Sequence, residues 1–446
     1  MRNFLYPKKP SGKLYTYRKW LSYTLLIFLF ACPFLKFRGE QWVLLNFIER
    51  KFVFFGLIFS PQDFYLFALA MLIFVIFIVC FTVVLGRLWC GWACPQTIFM
   101  EMVFRRIEYW IEGDAVKQKK LDAQPWGIDK ILKKTIKHFL FLCISFIISN
   151  TFLAYLIGSD NLRKIIFEPL ALHVSGFTSI WFFTFVFYGV FAYLREAVCT
   201  VICPYGRLQG VLLDKQSLVV AYDVNRGEPR GYIQKNNLNR PQGDCVDCGL
   251  CVQVCPTGID IRKGTQLECV NCTACIDACD AVMLKINKPQ RLIGFYNQDF
   301  IETRKTYKVG LKVYAYAATL LMALIIFSSL IYKREIIQTT VLRASGTLFQ
   351  ERPGDQISNL YNAELINKTN KNLSFEFKSN DPLNKIEFVQ QTHSLPAEGT
   401  VHLTFFLLRQ KSKITKYKTD VSFEIWVEGK ILSRATTSFF AQAANN

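Results

Sequence analysis

Three observations in the 446-residue sequence predict a multi-domain integral membrane protein. Apolar runs long enough to cross a bilayer recur through the first three quarters of the chain. Eight cysteines crowd into residues 245–280. Beyond residue 332 the pattern changes to short alternating or apolar stretches separated by turn residues, the signature of a β-sandwich. The fold class is therefore an α-helical membrane domain, a compact cysteine module and a C-terminal all-β domain.

Five runs qualify as spans: 21–37, 64–85, 139–157, 177–194 and 313–332. The first is the shortest. Its basic flank resembles a signal peptide, but "ACPFLKF" is a poor small-residue cleavage site, so it is read as a retained helix. Lys and Arg set the orientation. Segment 1–20 and loop 86–137 are basic, whereas loop 158–176 holds only Arg163 and Lys164. Positive loops stay inside, so 1–20, 86–137 and 195–312 are expected in the cytoplasm, and 38–63, 158–176 and 333–446 outside. The formal net charge of +19 is then orientation plus attraction to anionic lipid. Nucleic-acid binding is the competing explanation of so basic a chain, and no helix-turn-helix, zinc finger or stacking platform supports it.

The expected organisation follows in order. A cytoplasmic segment, 1–20, precedes a membrane domain, 21–198, with four spans and the loop 86–137. A cytoplasmic linker, 199–244, leads to the cysteine module, 245–285. A connector, 286–312, and the fifth span, 313–332, lead to the external sandwich, 333–446. Segment 38–63 is apolar but broken by charge and is expected to lie in the outer interface. From Pro95 onward, Ile98, Met102, Ile107 and Trp110 recur at helical spacing opposite Glu101, Arg105, Glu108 and Glu112, predicting an amphipathic helix on the inner membrane surface. Residues 113–137 read as a polar linker. "SLVVAYD" reads as a short strand, and 225–244 as a loop.

The cysteine module is "CVDCGLCVQVCPTGIDIRKGTQLECVNCTACIDACD". Both groups are spaced C-x2-C-x2-C-x3-C. That spacing wraps three thiolates around one iron–sulfur cluster and sends the fourth to another. One [4Fe–4S] cluster takes Cys245, Cys248, Cys251 and Cys279; the second takes Cys269, Cys272, Cys275 and Cys255. Pro256 follows the first group, but Asp280 follows the second. Small residues at 249, 258 and 274 let backbone N–H groups approach. Zinc is the competing metal, but zinc ribbons separate their pairs by longer spans. No cysteine lies beyond residue 279, so disulfides outside the cell are excluded, and the expected sidedness keeps these thiols reduced. The module is thus read as a bacterial-type two-cluster ferredoxin, which says that electrons pass but not from what to what.

Two further pairs, Cys90/Cys94–Pro95 and Cys199/Cys203–Pro204, follow the second and fourth spans. Proline favours the first position of a helix, so Cys94 and Cys203 are expected at helix N-termini, where the dipole favours a thiolate. Arg195, Cys199, Cys203 and Arg207 recur every four residues, and Arg87 stands near Cys90, so arginines are expected to flank the thiols and depress their pKa values further. These four sulfurs are candidates for a soft copper site, a third metal centre or a dithiol/disulfide pair; the plain alternative is small residues packing helix ends. Met100 and Met102 lie near but read as packing. Cys32, Cys80 and Cys143 lie in apolar spans and read as inert core thiols. The four histidines never pair at one depth, which excludes a bis-histidine haem.

The motifs "CGWACPQT", "IEGD", "REAVCTVICPYGRLQG" and "NRGEPRG", together with the twin-cluster module, resemble the cytochrome c oxidase accessory proteins of the CcoG (FixG/RdxA) family over essentially the whole chain. C-x3-C-P and ferredoxin modules by themselves would also fit the NapH/NosR membrane polyferredoxins. The resemblance implies five spans, a periplasmic immunoglobulin-like C-terminal domain, and residence in the bacterial inner membrane with the clusters cytoplasmic. It implies assembly of cbb3-type cytochrome oxidase by reduction of Cu(II) to Cu(I), with Cys90, Cys94, Cys199 and Cys203 as candidate copper contacts. Implied partners are oxidase subunits or a copper chaperone or transporter, and an electron donor the sequence does not name. Two alternatives stay open: a quinol-linked electron-transfer subunit and a non-enzymatic assembly scaffold.

Overall fold

The computed structural model describes residues 5–442, except 38, 50, 60–62, 233–242, 305–309, 347, 391 and 415. Part of the expected loop 225–244 thus lies outside the described residues; Val224–Gly227 before it is one helical turn. The chain divides into two compact units. The first comprises Met1–Leu35, Leu44–Asn46 and Ala68–Ile326; the second comprises Lys36–Val43, Phe47–Phe67 and Phe327–Asn446.

Among the described residues four helices are long and apolar enough to cross a membrane: Phe64–Leu85, Ile128–Ile157, Val174–Leu194 and Leu311–Tyr332. Their exposure is the reverse of a soluble core. The last has no buried residue although its side chains are overwhelmingly apolar, the state of a helix whose solvent is lipid. The second, Ile128–Ile157, begins eleven residues before the expected start at 139, because Lys130 and Lys137 find partners inside the fold and do not end the helix. The run expected at 21–37 is not among the four. The chain there forms a helix over Lys13–Ala31, stopped by Pro33, and Lys36–Phe37 is already a strand. Within that helix Arg18 and Ser22 are buried, while Trp20, Ile27 and Phe28 are exposed.

The segment from Pro95 departs from a surface helix. It is continuous helix over 95–111 through a π-helical stretch, Phe99–Phe104, and it is packed inside the first unit. Phe104 stacks on Phe191 at 4.3 Å between ring centroids and meets Phe141 edge-on at 4.8 Å. Its polar face is buried too. Glu101 pairs with Arg105, Arg105 reaches Glu196, and Glu108 accepts from Arg195 at 2.6 and 2.9 Å. Lys137 meets Glu112 at 2.9 Å, and Lys134 bridges Glu112 and Asp122 at 2.9 and 2.6 Å. Helical periodicity sorts residues by polarity, but it does not tell water from an internal ion-pair network. The supposed linker 113–137 is likewise helical over Ala115–Ala123, with Asp114 as N-cap, and from Ile128 onward. Strand Val219–Tyr222 pairs with Ile293–Tyr296 and carries the cysteine module between its ends.

In the second unit, strands Ile337–Arg343, Gln356–Asn367, Lys385–Phe388 and Thr400–Gln410 make one antiparallel sheet. Glu376–Ser379, Lys418–Val427 and Lys430–Phe440 make another. Tyr361, Phe377, Phe405 and Phe423 fill the core between them, and the Tyr361 hydroxyl donates to the Ser438 carbonyl. Short strands also form before the second span, Lys51–Phe54 pairing with Leu57–Phe59, where an interfacial segment was expected.

Asp63 ties this stretch to the sandwich: 1% exposed, it meets Arg334 at 2.6 Å and Lys368 at 2.7 Å. Burial would raise its carboxyl, but the two cations outweigh burial and hold it below the usual carboxylate value. A depressed carboxyl contributes stability above about pH 4, and that contribution disappears as pH falls through the folded value. Replacing Asp63 by Ala leaves Lys368 buried without its partner. The second unit of the Asp63→Ala chain is expected to lose about 3–5 kcal/mol, read as a lower denaturant midpoint in detergent at pH 7. The gap should narrow at acid pH; an unchanged midpoint would dismiss the clamp.

Candidate metal centre

Each cysteine run folds into a tight loop followed by a helix. Asp247 and Gly249, either side of Cys248, take φ of 52° and 66°; Asn271 and Thr273, either side of Cys272, take 52° and 65°. Left-handed residues at alternate positions curl a backbone so that its N–H groups face one concavity, a receptor for an anion. Glycine and asparagine adopt this readily. Buried Thr273 does not, and is held there by its surroundings. After the first loop the helix is short, Leu250–Gln253, because Pro256 bars Cys255 from helical geometry. With Asp280 in the matching place, the second helix runs on over Ala274–Lys285.

Cys245, Cys248, Cys251 and Cys279 line one cavity, beside Arg262. Cys255, Cys269, Cys272 and Cys275 line a second, which Cys251 also touches. Each cavity thus gathers three cysteines of one run and the last cysteine of the other. Among the described residues no three His, Cys, Asp or Glu side chains lie close enough to share one ion. A tetrahedral zinc, about 2.3 Å from each sulfur, would draw its ligands to about 4 Å of one another. Sulfurs spread around inward-facing amides fit a polynuclear iron–sulfur core instead. Burial pushes Cys251 and Cys269 up to about 11 and Cys272 and Cys279 up to about 12, so the free thiols stay protonated until metal displaces the proton.

The two C-x3-C-P motifs come together. Cys94 and Cys203 are extended, with ψ of 124° and 111°, and Pro95 and Pro204 open the helices that follow. Thr97 Oγ1 lies 3.9 Å from Cys199 Sγ, and Cys90 Sγ donates to Gln209 Oε1 at 3.0 Å, so each motif touches the other's helix. All four thiols are close enough to act on one another electrically. The expected low pKa values are not found. Burial dominates, raising Cys90 to about 12, Cys199 to about 11, and Cys94 as well, against the opposing pull of Arg87 on Cys90. Nor do Arg195 and Arg207 flank the thiols. Arg195 breaks the helical repeat at φ 50° and is engaged by Glu108; Arg207 is exposed. Met100 and Met102 are buried in packing, and Cys32 is buried, but Cys80 is half-buried and Cys143 exposed.

The four-thiol site adjoins the second cavity. Cys90 packs with Cys272, Val270 and Ala274 in one buried cluster. Gly91 makes that approach possible, since a Cβ there would stand 2.3 Å from the Val270 carbonyl oxygen and 3.0 Å from Cys272 Cα. The Gly91 carbonyl accepts from Arg18 Nε at 2.7 Å. Arg18 and Arg87 are 2% and 4% exposed, and among the described residues neither has a carboxylate partner. Arg18 Nη2, Arg87 Nε, Trp92 Nε1, Gln96 Nε2 and Asn271 Nδ2 are buried donors without an acceptor. A low-dielectric site rich in unanswered donors calls for negative charge, which metal–thiolate groups carry. Sequence reasoning noticed Arg87 but missed Arg18 and Gly91, which carry no local pattern.

Comparison with known proteins supplies an independent view. Residues 194–298 match the family described as a 4Fe-4S dicluster domain, and 67–114 a 4Fe-4S binding domain. Residues 327–442 match an IG-like fold at the C-terminal of FixG. Nitrogen fixation protein FixG of Rhizobium meliloti is 38% identical over 303 residues, 66% of this chain and 57% of that protein. Protein RdxB of Cereibacter sphaeroides is 38% identical over 302 residues, 66% of this chain and 62% of its own. For Protein RdxA of the same organism the figures are 31% over 398 residues, 84% and 81%. The chain therefore spans less than two thirds of the first two relatives and most of the third.

Inserting a methyl group at Gly91 tests the close approach. Gly91→Ala is expected to cost about 1–3 kcal/mol of stability through overpacking. It should disturb the EPR signal of the centre held by Cys269, Cys272 and Cys275 more than that of its neighbour. Wild-type melting and spectra would show that the approach is not needed.

Proposed function

The chain belongs to the FixG/RdxA family of iron–sulfur electron-transfer proteins, and on that footing we propose that it is a membrane-bound cupric reductase, taking Cu(II) to Cu(I) during assembly of a cbb3-type cytochrome oxidase. The observation that carries this reading is the burial of Cys90 against Cys272 in one packed cluster. It puts four soft donors, Cys90, Cys94, Cys199 and Cys203, directly beside the ferredoxin module. When bound, [4Fe–4S] clusters supply one-electron transfer, the stoichiometry of the copper couple. The eight module cysteines hold them, and the inward backbone at 247–249 and 271–273 offers N–H groups to their sulfurs. Thiolate is the ligand type that selects Cu(I) over Cu(II), so electrons delivered near these four sulfurs favour the reduced metal. Arg87 and Arg18 supply positive charge along the same join. Tight packing around Cys90 excludes water and with it stray oxidation.

The membrane arrangement in this reading has the helix Lys13–Ala31 as a fifth crossing. Its start is held by the module, Asp277 accepting from the Leu14 and Tyr15 amides at 3.2 and 2.7 Å. The strand that follows it, Lys36–Phe37, belongs to the other unit. With the basic loops inside, the clusters face the cytoplasm and the sandwich the periplasm, where it would meet oxidase subunits or a copper carrier.

Protein purified without oxygen, reduced with dithionite and freed of excess reductant, should convert Cu(II) to a coloured Cu(I)–chelator complex at one copper per stored electron. Cys90→Ser and Cys199→Ser should abolish that conversion while the two ferredoxin EPR signals persist. A reduced protein that ignores Cu(II) but is reoxidised by a quinone analogue would replace this reading with the quinol-linked one.

A further inference from the structure

We propose that Cys90, Cys94, Cys199 and Cys203 hold a third, resident iron–sulfur cluster between the two C-x3-C-P loops. This deepens the reading above: electrons would leave through a fixed centre, and copper would meet that centre at its edge without taking all four sulfurs as its own ligands.

Four independent features converge on it. The first is ligand count. Segment 67–114 matches a 4Fe-4S binding domain, yet its only cysteines beyond the span are Cys90 and Cys94, and a cluster takes four thiolates. The other two come from across the fold, where Thr97 meets Cys199 and Cys90 meets Gln209. The second is local geometry. Both pairs share the C-x3-C-P spelling of Cys251–Cys255–Pro256 in the module, and in both the last cysteine is extended ahead of a helix-opening proline.

The third feature is the unanswered donors. Arg87, 4% exposed and without a carboxylate partner among the described residues, exerts its charge on Cys90 and Cys199. Its Nη2 lies 2.7 Å from where a Gly206 Cβ would stand, and the Cys199 carbonyl is 3.0 Å from the same point. Trp92 Nε1 and Gln96 Nε2, on either side of Cys94, are also buried without acceptors. A cluster with four thiolates is an anion whose sulfides accept N–H bonds, so it answers a guanidinium and several donors at once. The fourth is position. Cys90 packs with Cys272 in one buried cluster, so a centre held here would adjoin the cavity lined by Cys269, Cys272 and Cys275.

Iron and acid-labile sulfide counting on anaerobically reconstituted full-length protein tests the proposal, with Mössbauer spectroscopy to assign the iron. The expected content is about 12 irons per chain, against about 8 for the ferredoxin module alone. The Cys94→Ser/Cys203→Ser double variant should lose a third of the iron while both module EPR signals remain, which also reports that the variant folds. A wild-type count near the lower figure overturns the third cluster whatever the variants do. If that protein still binds copper at these thiols and reduces it, the cupric-reductase reading survives alone. If the higher count is found but reduced protein leaves Cu(II) untouched, the cluster stands and the copper reading falls.

Discussion

The close approach of Gly91 to the Val270–Cys272 backbone is the constraint on which the metal-binding half of the molecule depends. Two loops far apart in sequence, one carrying a C-x3-C-P pair and the other the second cysteine run, meet here in direct contact. A residue without a side chain allows it, and the Arg18 side chain locks it by donating to the Gly91 carbonyl. Around this contact the usual rule for buried charge is suspended. Elsewhere in the same unit Arg105, Arg195, Lys134 and Lys137 are each answered by carboxylates. At the join, Arg18 and Arg87 have no carboxylate partner among the described residues. The contrast within one interior sets the join apart from the ion-paired scaffolding around it.

What was legible in the sequence was local. The cysteine spacing is a statement about one tight loop, and the sulfurs it groups line the same two cavities. Four of the five expected spans fall on helices of the required length, because hydropathy is a property of a single segment. The sandwich announced itself by alternation. What could not be read was whatever depends on distant partners. The Pro95 helix was expected on a membrane surface because its polar face had no visible recipient; the recipients, Arg195 for Glu108, Glu196 for Arg105 and Lys137 for Glu112, all lie outside that helix. Thiol acidity was misjudged for the same reason: dipole and arginine can be guessed from sequence, whereas the depth of burial that overrides them cannot. The four-residue repeat of Arg195, Cys199, Cys203 and Arg207 assumed a helix that the left-handed Arg195 interrupts.

The second unit shows the same division of labour in a simpler form. Strand alternation predicts which residues face the aromatic core of Tyr361, Phe405 and Phe423. It does not predict that Asp63, from a stretch nearly three hundred residues earlier, lies buried between Arg334 and Lys368. That triad converts a segment that reads as loosely interfacial into part of a folded domain, by making Asp63 the shared carboxylate of Arg334 and Lys368.

The second helix of the module carries a last consequence. Asp277, in its first turn, receives the first amides of the Lys13–Ala31 helix. The cluster-bearing module is thereby bolted at a second point, besides the strand pair at its ends. A carrier on a flexible tether can swing between donor and acceptor; one mounted like this cannot. It works in place, with any supplier of electrons obliged to diffuse to it.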